Sequence, residues 1–296
     1  MDPQHFSLDP ALYNVPSRDE LREYRIWDGH YHGFLTTEDP IQRHREMMFY
    51  VERMGIERVI SLDAGGTISN PLQSAPHDDA IWNLLEQEQA TLSGLAPIDP
   101  GYPKESCEKM EKWVRNGPCI GIKYYGSTEA AIPCSHPNND EIIRLAGELE
   151  AVIYIHTWIK IGGSPRYPGG GNNPGESTPM DVAILAERFP DIPLICGHSG
   201  GDWELGIPAI RPYENVYLQF DGSDPHSGAV DKAVNELGAD RITWGGHGPS
   251  RSYSTELSKV LGASIPKADK MKVLGGNFRK LAERIFKAKG LSLQPH

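Results

Sequence analysis

The sequence predicts an α/β fold of one architecture, a (β/α)8 TIM barrel with additional C-terminal helices. Three observations lead there. Eight short apolar runs, rich in β-branched and aromatic residues, recur along the chain, and each is followed by an amphipathic stretch. Their spacing is roughly 20–40 residues, which suits βαβ units. Several of the runs end in histidine, and in such barrels the chemistry sits at the C-terminal ends of the strands.

The strand-like runs, in order, are RIWDGHYH from Arg25, ERVISLD near Arg58, ATLSGLAPI near Leu92 and CIGIKYY near Ile120. AVIYIHTW near Val152, IPLICGHSGG from Ile192, NVYLQFDG near Val216 and RITWGGHG near Ile242 complete the eight. The helical stretches between them carry terminus signals. IQRHREMMFYVERMG stops at Gly55, a natural C-terminal cap, and DDAIWNLLEQEQ opens on aspartates suited to a helix N-terminus. ESCEKMEKWVRNG, NDEIIRLAGELE, TPMDVAILAERF, GAVDKAVNELG and TELSKVLG follow, with DWELGIPAI a weaker helical pattern. The tail KADKMKVLGGNFRKLAERIFKAKG reads as one or two helices after the barrel. An open doubly wound sheet is the main rival. It would normally carry a glycine-rich phosphate loop after its first strand, where this chain has histidines instead.

The polar, proline-containing residues 1–24 read as an arm laid on the surface, so the expected organisation is an arm over 1–24 and a barrel over 25–296. The long stretch TWIKIGGSPRYPGGGNNPGESTPM after His156 is glycine- and proline-rich, and its place after a strand suggests a lid. Arg166 within it could pair with an anionic substrate.

Composition narrows the function classes. Hydrophobic residues are 39% and charged residues 23%, as in soluble globular chains, and no run approaches a membrane span. The net charge of −11 argues against a nucleic-acid partner. Cys107, Cys119, Cys134 and Cys196 form no C-x-x-C pair, so free thiols in a reducing, cytoplasmic setting are expected, and a small-molecule substrate is the expected partner. Apolar helices after the barrel make a homodimer a further expectation.

Of the 11 histidines, four stand at the ends of predicted strands 1, 5 and 6: His30, His32, His156 and His198. His247 follows the eighth. His30 and His32 form an H-x-H pair, and residues i and i+2 of a strand face the same way, so both imidazoles can reach one metal ion. Asp63, Asp99 and Asp221 follow predicted strands 2, 3 and 7, where carboxylates can bind substrate or orient a ligating histidine.

These pieces, in their order, resemble the amidohydrolase-related family of metal-dependent TIM-barrel hydrolases, akin to the aminocarboxymuconate-semialdehyde decarboxylase group. The matching segments are D-G-H-Y-H at Asp28 to His32, G-I-K at Gly121 to Lys123, Y-I-H at Tyr154 to His156, I-C-G-H-S-G-G at Ile195 to Gly201 and V-L-G-G-N-F-R-K-L at Val273 to Leu281. The resemblance implies metal ligation by His30, His32 and His156, with His198 beside the metal, holding substrate or moving a proton. It implies one divalent metal ion, zinc first, manganese or iron as alternatives. Lys123, Asp99, Asp221 and Arg166 are then candidate substrate-binding residues, and His198 and His247 candidate catalytic residues. One departure stands out: the family normally ends strand 8 with G-x-D, whereas this chain reads W-G-G-H-G-P, with His247 in the place of the aspartate. The expected activity is hydrolysis of a small cyclic or carboxylated substrate by metal-activated water. The alternatives are non-oxidative decarboxylation on the same scaffold and a non-catalytic barrel with a degenerate site.

Overall fold

The computed structural model describes residues 16–34, 39–66, 70–126, 128–159, 172–222 and 228–293. Eight parallel strands run in sequence order: β1 Ile26–Tyr31, β2 Ile56–Ser61, β3 Leu92–Ile98, β4 Cys119–Tyr124, β5 Val152–His156, β6 Leu194–Gly197, β7 Val216–Phe220 and β8 Ile242–Trp244. Each pairs with its successor, with Lys123 beside Tyr154, His156 beside Gly197 and Phe220 beside Trp244. The ring closes between the first and last strands. The His247 amide donates to the His30 carbonyl at 2.8 Å, and the His32 amide donates to the Gly248 carbonyl at 2.8 Å. This is the TIM barrel that the strand spacing predicts. Strands β1, β3, β4 and β8 are buried along their whole length, which explains why the sequence shows continuous apolar runs rather than alternation.

The helices follow local signals. The first after β1 is α2, Pro40–Arg53, with Asp39 accepting from the Gln42 amide and proline in its first turn. It ends at Met54, and Gly55 then takes φ 66°, where a side chain would strike Leu21. Next come α3 Asp78–Gln87, α4 Pro103–Met110 with a wide turn over Glu111–Arg115, and α5 Asn139–Glu148. In α6, Pro179–Arg188, Thr178 and Asp181 form a reciprocal capping box. The weak pattern DWELGIPAI folds as α7, Trp203–Ile210, because Asp202 accepts from the Leu205 amide. The set is completed by α8 Ala229–Leu237 and α9 Tyr253–Leu261.

Two regions add to the sequence reading. Part of the presumed irregular arm is a helix, α1 Arg18–Glu23, begun by a Ser17–Glu20 capping box and anchored by buried Leu21. Residues 1–15 lie outside the described residues. The tail forms α10 Lys267–Met271 and, after a wide turn, α11 Asn277–Ala288. Helix α11 lays Phe278 and Phe286 against Trp27 of β1, with ring centroids 6.3 and 5.7 Å away. The Arg58 guanidinium lies 4.8 Å from the Trp27 ring and 5.0 Å from the Phe286 ring, and donates to the Gln89 carbonyl and the Ser93 hydroxyl. This end of the barrel is filled by packing, so the chemistry is left to the other. Among the described residues no helix is long and apolar enough to cross a membrane.

The Thr178 cap is the local device that starts α6 directly after the long loop. Thr178→Ala should cost about 1 kcal/mol of unfolding free energy in chemical denaturation. An unchanged midpoint would show that packing alone fixes this helix start.

Candidate metal centre

Five histidines converge at the C-terminal end of the barrel. His30 lies within β1 and His32 just beyond it, His156 ends β5, His198 follows β6, and His247 follows β8 by three residues. The His30 ring is 4.7 Å from His32, 4.9 Å from His198 and 4.2 Å from His247, on which it stacks. His32 and His198 lie 5.0 and 5.3 Å from His247. His156 joins from the far side, 4.6 Å from His198. The backbone is strained here. His198, Ser199 and His247 take φ of 59°, 52° and 53°, a left-handed conformation that costs a side-chain-bearing residue roughly 1–3 kcal/mol. Gly222 and Gly245 give the space, since a side chain at either would overlap His247 or His30.

The outer nitrogens decide what the rings present to one another. Asp221 is fully buried among them. Its Oδ2 lies 2.9 Å from His30 Nδ1, its Oδ1 pairs with His198 Nδ1, and the Tyr154 hydroxyl donates to Oδ2 at 2.7 Å. His32 Nδ1 lies 2.8 Å from Asp63 Oδ1, which also accepts from the Tyr125 hydroxyl. His247 Nδ1 lies 2.7 Å from Ser250 Oγ, whose own proton goes to the His247 carbonyl. An ionised carboxylate only accepts, and so does a hydroxyl that has already donated its proton. In all four rings the proton is therefore on Nδ1, and Nε2 carries the lone pair.

Electrostatics agree. Burial holds His30 well below the ordinary histidine pKa, with Asp221 pulling upward and His247 pushing down. Burial drives His247 down to about 3, helped by His198 and His32 against Asp221. Burial acts to raise the Asp221 pKa, but His198 and His30 outweigh it and hold it well below the usual carboxylate range. The centre thus holds His30 and His247 as neutral imidazoles beside an ionised carboxylate.

The other residues singled out in the sequence fall around this core. His156 is half-buried, and its Nε2 lies 3.3 Å from Glu176 Oε1, so it is engaged through the opposite nitrogen. Its pKa is pushed to about 3 by burial and then by His198. Lys123 is buried inside the barrel, its ammonium 3.8 Å from the Tyr154 ring centre. Burial brings it down to about 7, opposed by Asp221 and Asp63. Asp99 is placed elsewhere: its Oδ1 accepts from the Gly101 amide and its carbonyl from the Ser106 hydroxyl, which fixes the turn into α4. Arg166 lies outside the described residues. Sequence reasoning missed Asp28, Tyr154, Glu176 and Ser250. Asp28 Oδ1 accepts from the amides of His30 and Gly246, clamping the two histidine-bearing strand ends together. Tyr154 could have been found, since it precedes His156 by two residues on the same strand face.

This donor set fits a metal ion. His30 Nε2 and His32 Nε2 are 2.8 Å apart, and with both protons on Nδ1 two lone pairs face each other. A cation removes that repulsion. One ligand atom from each of His30, His198, Asp221 and His247 also falls within 4.8 Å of the others. Imidazole rings tied by carboxylates through the far nitrogen are the usual surroundings of a bound transition metal.

A parallel barrel with a histidine centre at its C-terminal face defines the class. The amidohydrolase family profile matches residues 27–284, and the chain belongs to that family. No curated protein matches the sequence. Among solved structures it is similar in fold to 5-carboxyvanillate decarboxylase from Sphingomonas paucimobilis. The TM-score is 0.65 at 15% identity, over 88% of this chain and 99% of that one. It is also similar to 2,6-dihydroxybenzoate decarboxylase from Rhizobium, at TM-score 0.61 and 15% identity, over 88% and 98%. A third is the 5-carboxyvanillate decarboxylase of Novosphingobium aromaticivorans, solved with manganese, at TM-score 0.58 and 16% identity, over 84% of each chain.

Two outcomes follow from this geometry. Asp63→Ala removes the acceptor of His32 Nδ1 and should weaken divalent-metal affinity about 10–100-fold in chelator competition, with the fold retained by circular dichroism. Lys123, with its folded pKa below its unfolded one, opposes folding most below about pH 7 and less as the pH rises towards its ordinary value. Lys123→Met should therefore be more stable than the parent, by a margin that narrows between pH 7 and pH 10 in denaturant titrations. A margin independent of pH would place the ammonium in water.

Proposed function

We propose that this protein is a metal-dependent, non-oxidative decarboxylase of a small aromatic or unsaturated carboxylic acid. The observation that carries the reading is the state of the site's carboxylates. Hydrolysis needs one free to take a proton from the attacking water. Here Asp221 is committed to His30 and His198, Asp63 to His32 and Glu176 to His156, while strand 8 offers His247 in place of an aspartate. Decarboxylation needs no such base, because the substrate brings its own carboxylate and loses it as carbon dioxide. The likeness to decarboxylases in fold points the same way.

A divalent ion held by the histidine centre would supply a Lewis acid that fixes the substrate's oxygen atoms. The chain's residues do the rest. The carboxylates of Asp221 and Asp63 are held against imidazole nitrogens, which offsets the negative charge an anionic substrate would meet. Lys123, beneath the centre with Tyr154, adds positive charge when its amine takes a proton. When the C–C bond breaks, the electron pair stays on the substrate carbon and is shared by its unsaturated system. A proton from solvent must then replace the lost group on the substrate carbon. Hydrolytic activity stays as the second reading, supported by family membership.

The test is a screen of hydroxybenzoates and unsaturated dicarboxylates for carbon dioxide release, beside a panel of amides and lactones, after loading with zinc or manganese. Carbon dioxide release that disappears in His30→Ala is the expected result. Hydrolysis of the second panel without carbon dioxide from the first would overturn the reading.

A further inference from the structure

We propose that the divalent ion of this centre is held by four imidazole nitrogens, Nε2 of His30, His32, His198 and His247, with no carboxylate among its ligands. The proposal rests on the metal-dependent reading above and concerns which atoms do the holding. The resemblance in sequence implies His30, His32 and His156. The structure selects a different set through its outer hydrogen bonds.

Each of the four chosen rings has Nδ1 against an acceptor: Asp221 for His30 and His198, Asp63 for His32, and Ser250 Oγ for His247. Each therefore has only Nε2 to give. His156 is built the other way round, with Nε2 against Glu176. Asp221, rather than His32, has a ligand atom within 4.8 Å of those of His30, His198 and His247, but its oxygens are already placed on the Nδ1 atoms of His30 and His198. A carboxylate so placed orients ligands. His247 stacks on His30 with ring planes 18° apart. Two nearly parallel rings cannot both aim at one ion, so loading swings His247 off His30.

The consequence is metal choice. Four neutral nitrogens favour zinc, cobalt or nickel, whereas manganese prefers carboxylate and water oxygens. The manganese-bound relative is thus a poor guide to the ion used here.

The experiment titrates the metal-free full-length protein with Zn2+ and with Mn2+ against chromophoric chelators, and records the visible spectrum of the Co2+ form. Zinc should bind at least about 100-fold more tightly than manganese. His247→Ala should weaken zinc by more than about 100-fold, beyond the 10–100-fold typical of losing a group that only orients a ligand. It should also change the Co2+ bands. His156→Ala should leave zinc affinity within about threefold and the bands unmoved. If His247→Ala fails to fold, Ser250→Ala carries the test, with an expected loss of about 10-fold or more. Equal affinity for the two ions, a loss in His156→Ala matching that in His247→Ala, or unchanged zinc binding in Ser250→Ala would overturn the donor set. A parent protein that takes up no ion at all would overturn the metal-dependent reading itself, which is a different result.

Discussion

The centre depends on one buried carboxylate. Asp221 stands at the end of β7, wholly removed from water, and holds His30 with one oxygen and His198 with the other. An isolated carboxylate in such a place would be very costly to ionise. Two imidazole N–H groups and the Tyr154 hydroxyl compensate it, and in return it fixes the tautomer of both rings. The chain from Asp221 through the histidines to their inward lone pairs is what turns a barrel mouth into a metal-binding site.

The barrel makes this arrangement possible by geometry. Parallel strands in sequence order bring the end of β1 to those of β7 and β8, which lie about two hundred positions further along the chain. Asp28 ties the first strand to the loop after the last by accepting from both His30 and Gly246. Left-handed backbone at His198 and His247 adds strain at these turns. Burial on the opposite end, where α11, Trp27 and Arg58 pack together, supplies stability well away from the chemistry.

Much of the fold was legible because each strand is a short apolar run and most helices carry their own stop and start residues. The strand-end histidines were legible for the same reason: a polar residue ending a buried strand must face the mouth. The tautomers were not legible. They depend on contacts such as His32 with Asp63 and His247 with Ser250, and only the latter is local in sequence. Glu176 lay hidden in a glycine-rich stretch without periodicity, so nothing marked it as the partner of His156. The helix α1 was missed although Ser17 and Glu20 form an S-x-x-E capping box, because the surrounding prolines and polar residues suggested an irregular arm.

The most direct measurement is the protonation state of the site histidines in the metal-free protein, from long-range proton–nitrogen correlations with 15N-labelled side chains near neutral pH. This account requires His30, His32, His198 and His247 to carry their proton on Nδ1, with Nε2 bare. Observation of Nε2 protonation at two or more of these four rings would contradict it, since the inward lone pairs on which the metal centre rests would then not exist.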